Sequence, residues 1–139
     1  MRGRRWRRCR GGSTLYLIGG FDPTTGNRPV ASTYSYDPAT DTWVGRAPTT
    51  VHVNAPRGVG MGDTLYAIGG ASPAGDTGTT EAYDPAADTW RTDPAPMPTP
   101  REHLASALLN GLIHVVGGRS PAPGKTGTTH EVYEPIANT

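Results

Sequence analysis

One phrase is written three times along this chain, and it constrains the fold more than any other feature. "YDPATDTW" at residues 36–43 returns as "YDPAADTW" at residues 83–90, and "YEPIANT" follows at residues 133–139. A segment that recurs at a period of about 50 residues is the signature of a repeat protein, in which each copy forms one structural unit. The chain is therefore predicted to fold as about three copies of a single unit.

A second phrase repeats in step with the first and ends each time in a double glycine. "STLYLIGG", "DTLYAIGG" and "GLIHVVGG" place these glycines at positions 50 and then 48 residues apart. A near-continuous apolar run that stops at glycine is typical of a strand covered on both faces. Each unit is therefore predicted to hold a buried strand that ends at its double glycine.

The remaining segments of each unit also predict short strands. "STYSYDP" alternates polar and apolar residues, as a strand with one better-buried face does. The Asp-Pro pair that follows favours a turn, because proline presets φ and the aspartate can accept backbone N–H bonds. "DTW" begins another strand, and "HLASALL" supplies one more in the third copy. The pattern predicts four strands per unit.

These residues resemble the kelch motif, which has a double glycine after one strand, a Tyr before a turn, and a Trp about six residues beyond it. The resemblance covers residues 12–139. It implies an all-β fold made of four-stranded antiparallel blades of a β-propeller. Since propellers usually have about 4 to 8 blades, about 2.5 to 3 blades imply an incomplete ring.

The repeat pattern predicts four segments along the chain. We expect an Arg-rich, disordered, non-repeat head (1–11), a first repeat without its first strand (12–47), a second repeat (48–94), and a third without its last strand (95–139). The head carries arginines where apolar strand residues are expected. A fragment of a larger propeller would expose sheet faces and strand edges, so we expect marginal stability and self-association unless a partner docks.

The residues that mark the repeat are predicted to be architectural. They are Gly19, Gly20, Gly69, Gly70, Gly117 and Gly118, together with Tyr36, Tyr83, Tyr133, Trp43 and Trp90. The glycines suit places where backbones approach closely or φ is positive. The aromatic residues are expected to pack between neighbouring blades, since equivalent positions favour architecture over a stacking platform for a sugar or base.

Charge and motifs exclude several classes of function. Six of the 13 basic residues lie in the first ten positions, and residues 11–139 carry a formal charge of −5, so nucleic acid is not an expected partner; an arginine arm that binds RNA or DNA is the weaker alternative. No run approaches the roughly 20 apolar residues of a membrane span, and the head lacks the apolar core of a signal peptide. The chain is expected to be soluble, in a compartment that the sequence leaves open.

The candidate catalytic and cofactor-binding motifs do not match the patterns that their chemistry requires. "GRSPAPGKT" has one residue too many between its glycines for a phosphate-binding P-loop, and a strand follows where a helix is required. The four histidines occupy different repeat positions, and the single Cys9 lies outside the repeats, which removes the Tyr-Cys chemistry of galactose oxidase-like propellers. We expect no catalytic residue, no metal and no cofactor.

The segments between each double glycine and the next Tyr vary in length, with 15, 12 and 14 intervening residues. Length variation marks loops that are free to change, and repeat proteins commonly bind through them. The binding candidates are Asp22, Asn27, Arg28, Asp76, Arg119 and Lys125, with Arg101 and Glu102 in the other connection.

The predicted function is a non-catalytic protein-binding or scaffolding module that binds through its inter-strand loops. Its expected partners are another protein, the remaining blades of a propeller, or itself. One alternative is a part of a kelch-propeller carbohydrate-active enzyme, galactose oxidase-like or sialic acid mutarotase-like, whose catalytic residues lie outside this chain. A purely structural role in a larger extracellular or cell-wall protein is the third reading.

Overall fold

The described chain consists almost entirely of antiparallel β-sheet. The computed structural model describes the backbone of residues 5–11 and all atoms of residues 14–120 and 127–139. Within these ranges the one helical element is a short 3-10 turn at Pro23–Thr25, and no helix has the length and apolar character to cross a membrane. Three sheets of three to five strands follow one another along the chain, and we call them blades 1, 2 and 3.

The strands of the blades repeat the same order. Blade 1 contains β1 (Arg5–Gly11), β2 (Thr14–Asp22), β4 (Thr33–Asp37) and β5 (Thr42–Arg46), with β3 (Arg28–Pro29) paired to the end of β2. Blade 2 contains β6 (Arg57–Met61), β7 (Thr64–Ile68), β10 (Thr80–Asp84) and β11 (Thr89–Arg91), with the small hairpin β8 (Ala71–Ser72) and β9 (Gly75–Asp76) in its loop. Blade 3 contains β12 (Ala105–Leu109), β13 (Leu112–Val116) and β14 (His130–Tyr133).

The repeated phrases occupy equivalent places in the sheets. Tyr36 lies opposite Trp43 in blade 1, and Tyr83 lies opposite Trp90 in blade 2. The first strands β1, β6 and β12 lie beside one another and form the inner edge of the array. The all-β fold of kelch-type blades predicted from the sequence is confirmed, and the three sheets do not close a ring.

The structure differs from the sequence expectation at the Arg-rich head. Residues 5–11 form β1, which pairs antiparallel with β2 from Gly11↔Thr14 to Arg5↔Phe21. The first blade therefore has a first strand, where we expected a non-repeat head and a repeat beginning at residue 12. The ladder consists of backbone hydrogen bonds, so polar side chains do not prevent a segment from pairing at this place.

Each blade has two faces that contact different neighbours. Because side chains alternate along a strand, β7 presents Leu65 and Ala67 on one face and Tyr66 and Ile68 on the other. The first face packs toward blade 1, and we call it the leading face; the second packs toward blade 3, and we call it the trailing face. All four side chains are 1–5% exposed. Each blade thus buries its apolar residues against other blades.

The core lies at the two junctions between blades. Between blades 2 and 3, the trailing residues Val59, Tyr66, Ile68 and Ala82 pack with the leading residues Ile113, Val115 and Tyr133 and with Met97 and Leu104 of the connecting segment. An edge-to-face pair marks each junction. The ring centroids of Tyr16 and Tyr83 are 5.9 Å apart, and those of Tyr66 and Tyr133 are 5.8 Å apart. The two junctions therefore repeat one packing solution.

The double glycines leave room for the segments that connect the blades. A Cβ on Gly69 would lie 2.7 Å from the carbonyl oxygen of Arg101, and one on Gly19 would lie 2.2 Å from that of Val53. Both glycines also have a φ of +64°. From the other side, a Cβ on Gly70 would lie 2.5 Å from Cγ2 of Val53. Each connecting segment is thus threaded between the first glycine of one blade and the second glycine of the next.

Replacing one of these glycines should measure the close approach directly. We expect Gly69→Ala to lower the free energy of unfolding by at least about 2 kcal/mol more than Gly62→Ala, because the added Cβ meets a backbone carbonyl. Gly62 is a matched control, since its φ is +57° and a Cβ there has nothing within 4 Å. Urea denaturation of both variants gives the comparison, and equal losses would contradict the threaded arrangement.

Candidate binding site on the loop surface

Loops from different repeats are joined into one surface by backbone hydrogen bonds. Asn54 and Ala71 exchange two such bonds of 2.8 Å, and Glu102 and Arg119 exchange bonds of 2.9 and 2.8 Å. The amide of Gly70 donates to the carbonyl of Arg101 at 2.9 Å. The connecting segments therefore lie beside the loops that follow the double glycines. We call residues 52–56, 69–79, 101–104 and 117–120 the loop surface.

A charged cluster lies on this surface between blades 2 and 3. Arg119 forms an ion pair with Glu102, with 2.6 Å between Nη2 and Oε1, and its side chain is 62% exposed. Nη2 of Arg119 is also 3.0 Å from Nδ1 of His103. The same Nδ1 lies 3.3 Å from Oε2 of Glu102, so the imidazole of His103 contacts both the guanidinium and the carboxylate. The side chains of Arg119 and His103 are both exposed, so a partner can reach them.

Asp76 completes the charged cluster. Burial raises the pKa of its carboxyl above the ordinary value, and the nearby Glu102 raises it further, while Arg119 and His103 lower it. No hydrogen bond to the Asp76 side chain comes from the residues that the structure describes. A partly buried carboxylate without such a donor is costly, so it favours a ligand that supplies one. Asp76, Glu102 and Arg119, all binding candidates from the sequence, therefore lie together.

Arg101 has a structural position instead. Its side chain is 0% exposed and donates to the carbonyls of Gly117 (2.8 Å), Thr99 (3.0 Å) and Val115 (3.3 Å). It also forms an ion pair of 2.5 Å with Glu131. The structure thus corrects its assignment as a binding candidate, because a partner cannot reach a guanidinium that is used to join blade 3 to its connecting segment.

The other loop candidates lie in the loop of blade 1 or outside the described residues. Asp22 caps the 3-10 turn through hydrogen bonds from the backbone N and Oγ1 of Thr24 at 2.9 and 2.6 Å. Asn27 has a φ of +58°, so its local role is to form the turn. Arg28 is exposed on β3, opposite Asp22. Lys125 lies outside the described residues.

Two glutamates with structural positions were not found from the sequence. Glu81 is 3% exposed and accepts hydrogen bonds from the backbone N of Thr50, at 3.1 Å, and from its Oγ1. Glu131, at the equivalent position in blade 3, pairs with Arg101. Each glutamate therefore binds the connecting segment that leads into its own blade. The available signal was the glutamate two residues before Tyr83 and Tyr133 in both copies.

In blade 2, the repeated phrase at residues 83–90 forms hydrogen bonds to the end of blade 1. The hydroxyl of Tyr83 donates to Oδ1 of Asp88 at 2.5 Å, and the same oxygen accepts the backbone N–H of Ala47 at 2.9 Å. The indole of Trp90 donates to the carbonyl of Ala47 at 2.9 Å. Chiefly the hydrogen bond from Tyr83 lowers the pKa of Asp88. Side chains of blade 2 thus bond to both the N–H and the carbonyl of Ala47, which directly follows β5, the outer strand of blade 1.

Comparison with known proteins identifies the family. The kelch motif matches residues 5–48 and 56–97, more than half of the chain. The chain belongs to the kelch family. The first match begins at residue 5, which agrees with the place of β1 as the first strand of a kelch blade. In the part of the chain that the structure describes, no three His, Cys, Asp or Glu side chains are grouped to hold a metal ion.

The curated relatives that this chain matches are much longer than the chain itself. It is similar to Kelch-like protein 33 of Homo sapiens, with 34% identity over 77% of this chain and 20% of the relative. It is also similar to Kelch-like protein 35 of Mus musculus, with 34% identity over 75% of this chain and 18% of the relative. Multiple epidermal growth factor-like domains protein 8 of Mus musculus is 30% identical over 94% of this chain and 5% of the relative. The kelch chain therefore spans a fifth or less of these relatives.

The buried position of Arg101 predicts a large effect on stability. We expect Arg101→Met to lower the free energy of unfolding by about 3–5 kcal/mol, because it leaves the partly buried Glu131 carboxylate and three backbone carbonyls without their donor. The control is Arg119→Met, which removes an ion pair with an exposed guanidinium and should cost about 1 kcal/mol or less. Chemical denaturation of the two variants makes the comparison, and similar losses would show that Arg101 is not the structural arginine.

Glu81 predicts a pH dependence of stability. Burial raises the pKa of its carboxyl above 4.5, although hydrogen bonds from Thr50 partly oppose this effect. A raised pKa in the folded state contributes stability that is fully present below the unfolded-state pKa and is lost as pH rises through the folded-state value. The stability of Glu81→Gln relative to the original chain should therefore rise with pH from about 4.5. Unfolding curves between pH 4 and 8 test this, and a constant difference would contradict it.

Proposed function

We propose that this kelch array is a non-catalytic module that binds another protein through its loop surface. The observation that carries the proposal is the charged cluster of Asp76, Glu102, His103 and Arg119, assembled from three separate loops. Arg119 is 62% exposed and anchored by Glu102 at 2.6 Å, so its direction is held while its remaining donors face outward. Pre-organised charged groups on a rigid scaffold are suited to recognition.

The cluster favours a partner with both hydrogen-bond donors and acceptors. Asp76 can accept from a lysine, an arginine or a backbone amide, and Arg119 can donate to a carboxylate or a carbonyl. Asp76, Glu102 and Arg119 together carry a formal charge of −1, which favours a weakly basic patch on the partner. A protein surface of mixed charge supplies these groups together, and that is the partner class we infer.

The non-catalytic part of the proposal rests on how the cluster is occupied. Glu102 forms an ion pair with Arg119, and Nδ1 of His103 lies 3.0 Å from the same guanidinium and 3.3 Å from the Glu102 carboxylate. A general base must be free to reach a proton on the substrate. Glu102, His103 and Arg119 are engaged with one another, so they position a partner more readily than they transfer its protons.

Capture experiments with neutralised side chains test the proposal. We expect Asp76→Asn combined with Arg119→Met to reduce at least one captured protein about tenfold or more, as measured by quantitative mass spectrometry of an extract from the source organism. Losing one hydrogen-bonded charge costs about 1.5–3 kcal/mol, which is the basis for this magnitude.

The control variant combines Asp63→Asn and Arg91→Met. It removes one acid and one base from exposed places away from the loop surface, in a turn and on the outer strand β11. The control should capture the same proteins as the original chain. If the loop variant also retains every captured protein, binding through the loop surface is wrong.

A further inference from the structure

The leading face of blade 1 is exposed where its equivalents are buried. Leu65 of blade 2 and Ile113 of blade 3 are 1% and 0% exposed, whereas Leu15, at the same register position in blade 1, is only partly buried. Trp43 is 43% exposed. Together with Leu17 and Tyr36, these residues line an open pocket. Blade 1 therefore presents the apolar residues that blades 2 and 3 bury against a preceding blade.

The trailing face of blade 3 is exposed in the same way. Val116 and Val132 are 41% and 44% exposed, whereas the equivalent residues of blade 2, Ile68 and Ala82, are each 1% exposed. Leu109, on the first strand of blade 3, is 56% exposed. The two ends of the array thus carry opposite halves of the junction that occurs twice inside it.

The interior junctions show that a trailing face and a leading face are complementary. In both junctions a Tyr on the second strand meets a Tyr on the third strand of the next blade, at interplanar angles of 63° and 62°. On the trailing face of blade 3, His114 occupies the position that corresponds to Tyr66. On the leading face of blade 1, Tyr36 occupies the position that corresponds to Tyr83. An imidazole and a phenol ring can repeat the edge-to-face contact. The side chains needed for a third junction of the same type are therefore present on this chain.

We propose that a second copy of this chain docks head to tail, the trailing face of blade 3 of each copy against the leading face of blade 1 of the other. A contact between unlike faces is heterologous and generates a ring when the rotation closes. Two copies of the three described blades make six, within the roughly 4 to 8 blades of known propellers. Two identical junctions then cover both exposed faces of each copy. The inference concerns assembly and is independent of the proposed loop surface.

Light scattering after size-exclusion chromatography is the first test. We expect twice the 14.6 kDa mass of the chain. Leu17→Lys on the leading face and Val132→Lys on the trailing face should each weaken association at least tenfold, because each buries an unpaired ammonium at both junctions. Ile136→Lys is the control, since Ile136 is 92% exposed in a turn of blade 3. This control should remain a dimer.

Mixing the two variants distinguishes this arrangement from others. In a mixed dimer one junction joins two unaltered faces, so an equimolar mixture of Leu17→Lys and Val132→Lys should recover dimers that neither forms alone. If the dimer instead joined two leading faces or two trailing faces, only the variant altered on that face would weaken association. Circular dichroism checks that each variant folds, and Leu15→Lys and Val116→Lys replace any that does not. A monomeric original chain, or a mixture that stays monomeric, overturns the proposal.

Discussion

Close backbone approach at the double glycines is the constraint on which the rest of this structure depends. No blade covers its own two faces, so each must pack against its neighbours, and the chain has to cross between them without separating the sheets. It does so through a gap that has no room for a Cβ at Gly69 or Gly19. That crossing places loops from different repeats side by side. The charged cluster of Asp76, Glu102, His103 and Arg119 is a consequence of this packing.

Charged side chains have two different uses in this molecule. Glu81 and Arg101 are buried and Glu131 is partly buried, and each makes hydrogen bonds that attach a connecting segment to a blade. Glu102 and Arg119 lie on the surface, where they hold each other in place with one of them largely exposed. The buried set stabilises the array only as complete pairs, since a single unpaired charge would be costly to bury. The exposed set is free to interact with a partner.

The sequence predicted the repeat, the strands and the turns, because these follow from local patterns of apolar residues, glycine and proline. It did not predict β1, since Arg5–Gly11 has none of the apolar pattern of a buried strand and pairs through its backbone. It also could not separate Arg101 from Arg119. Both are arginines in or beside loops, and their burial differs only because Arg101 points between a connecting segment and blade 3.

The sequence by itself determined that the chain is built from kelch blades. A period of about 50 residues with glycine, Tyr and Trp at fixed places indicates a sheet that is repeated along the chain and packs against its neighbours in the same way each time. The tertiary structure alone decided which charged residues are structural and which are available for binding. Burial and pairing depend on contacts between residues such as Arg101 and Glu131 that are far apart in the chain. Local sequence patterns do not specify such contacts.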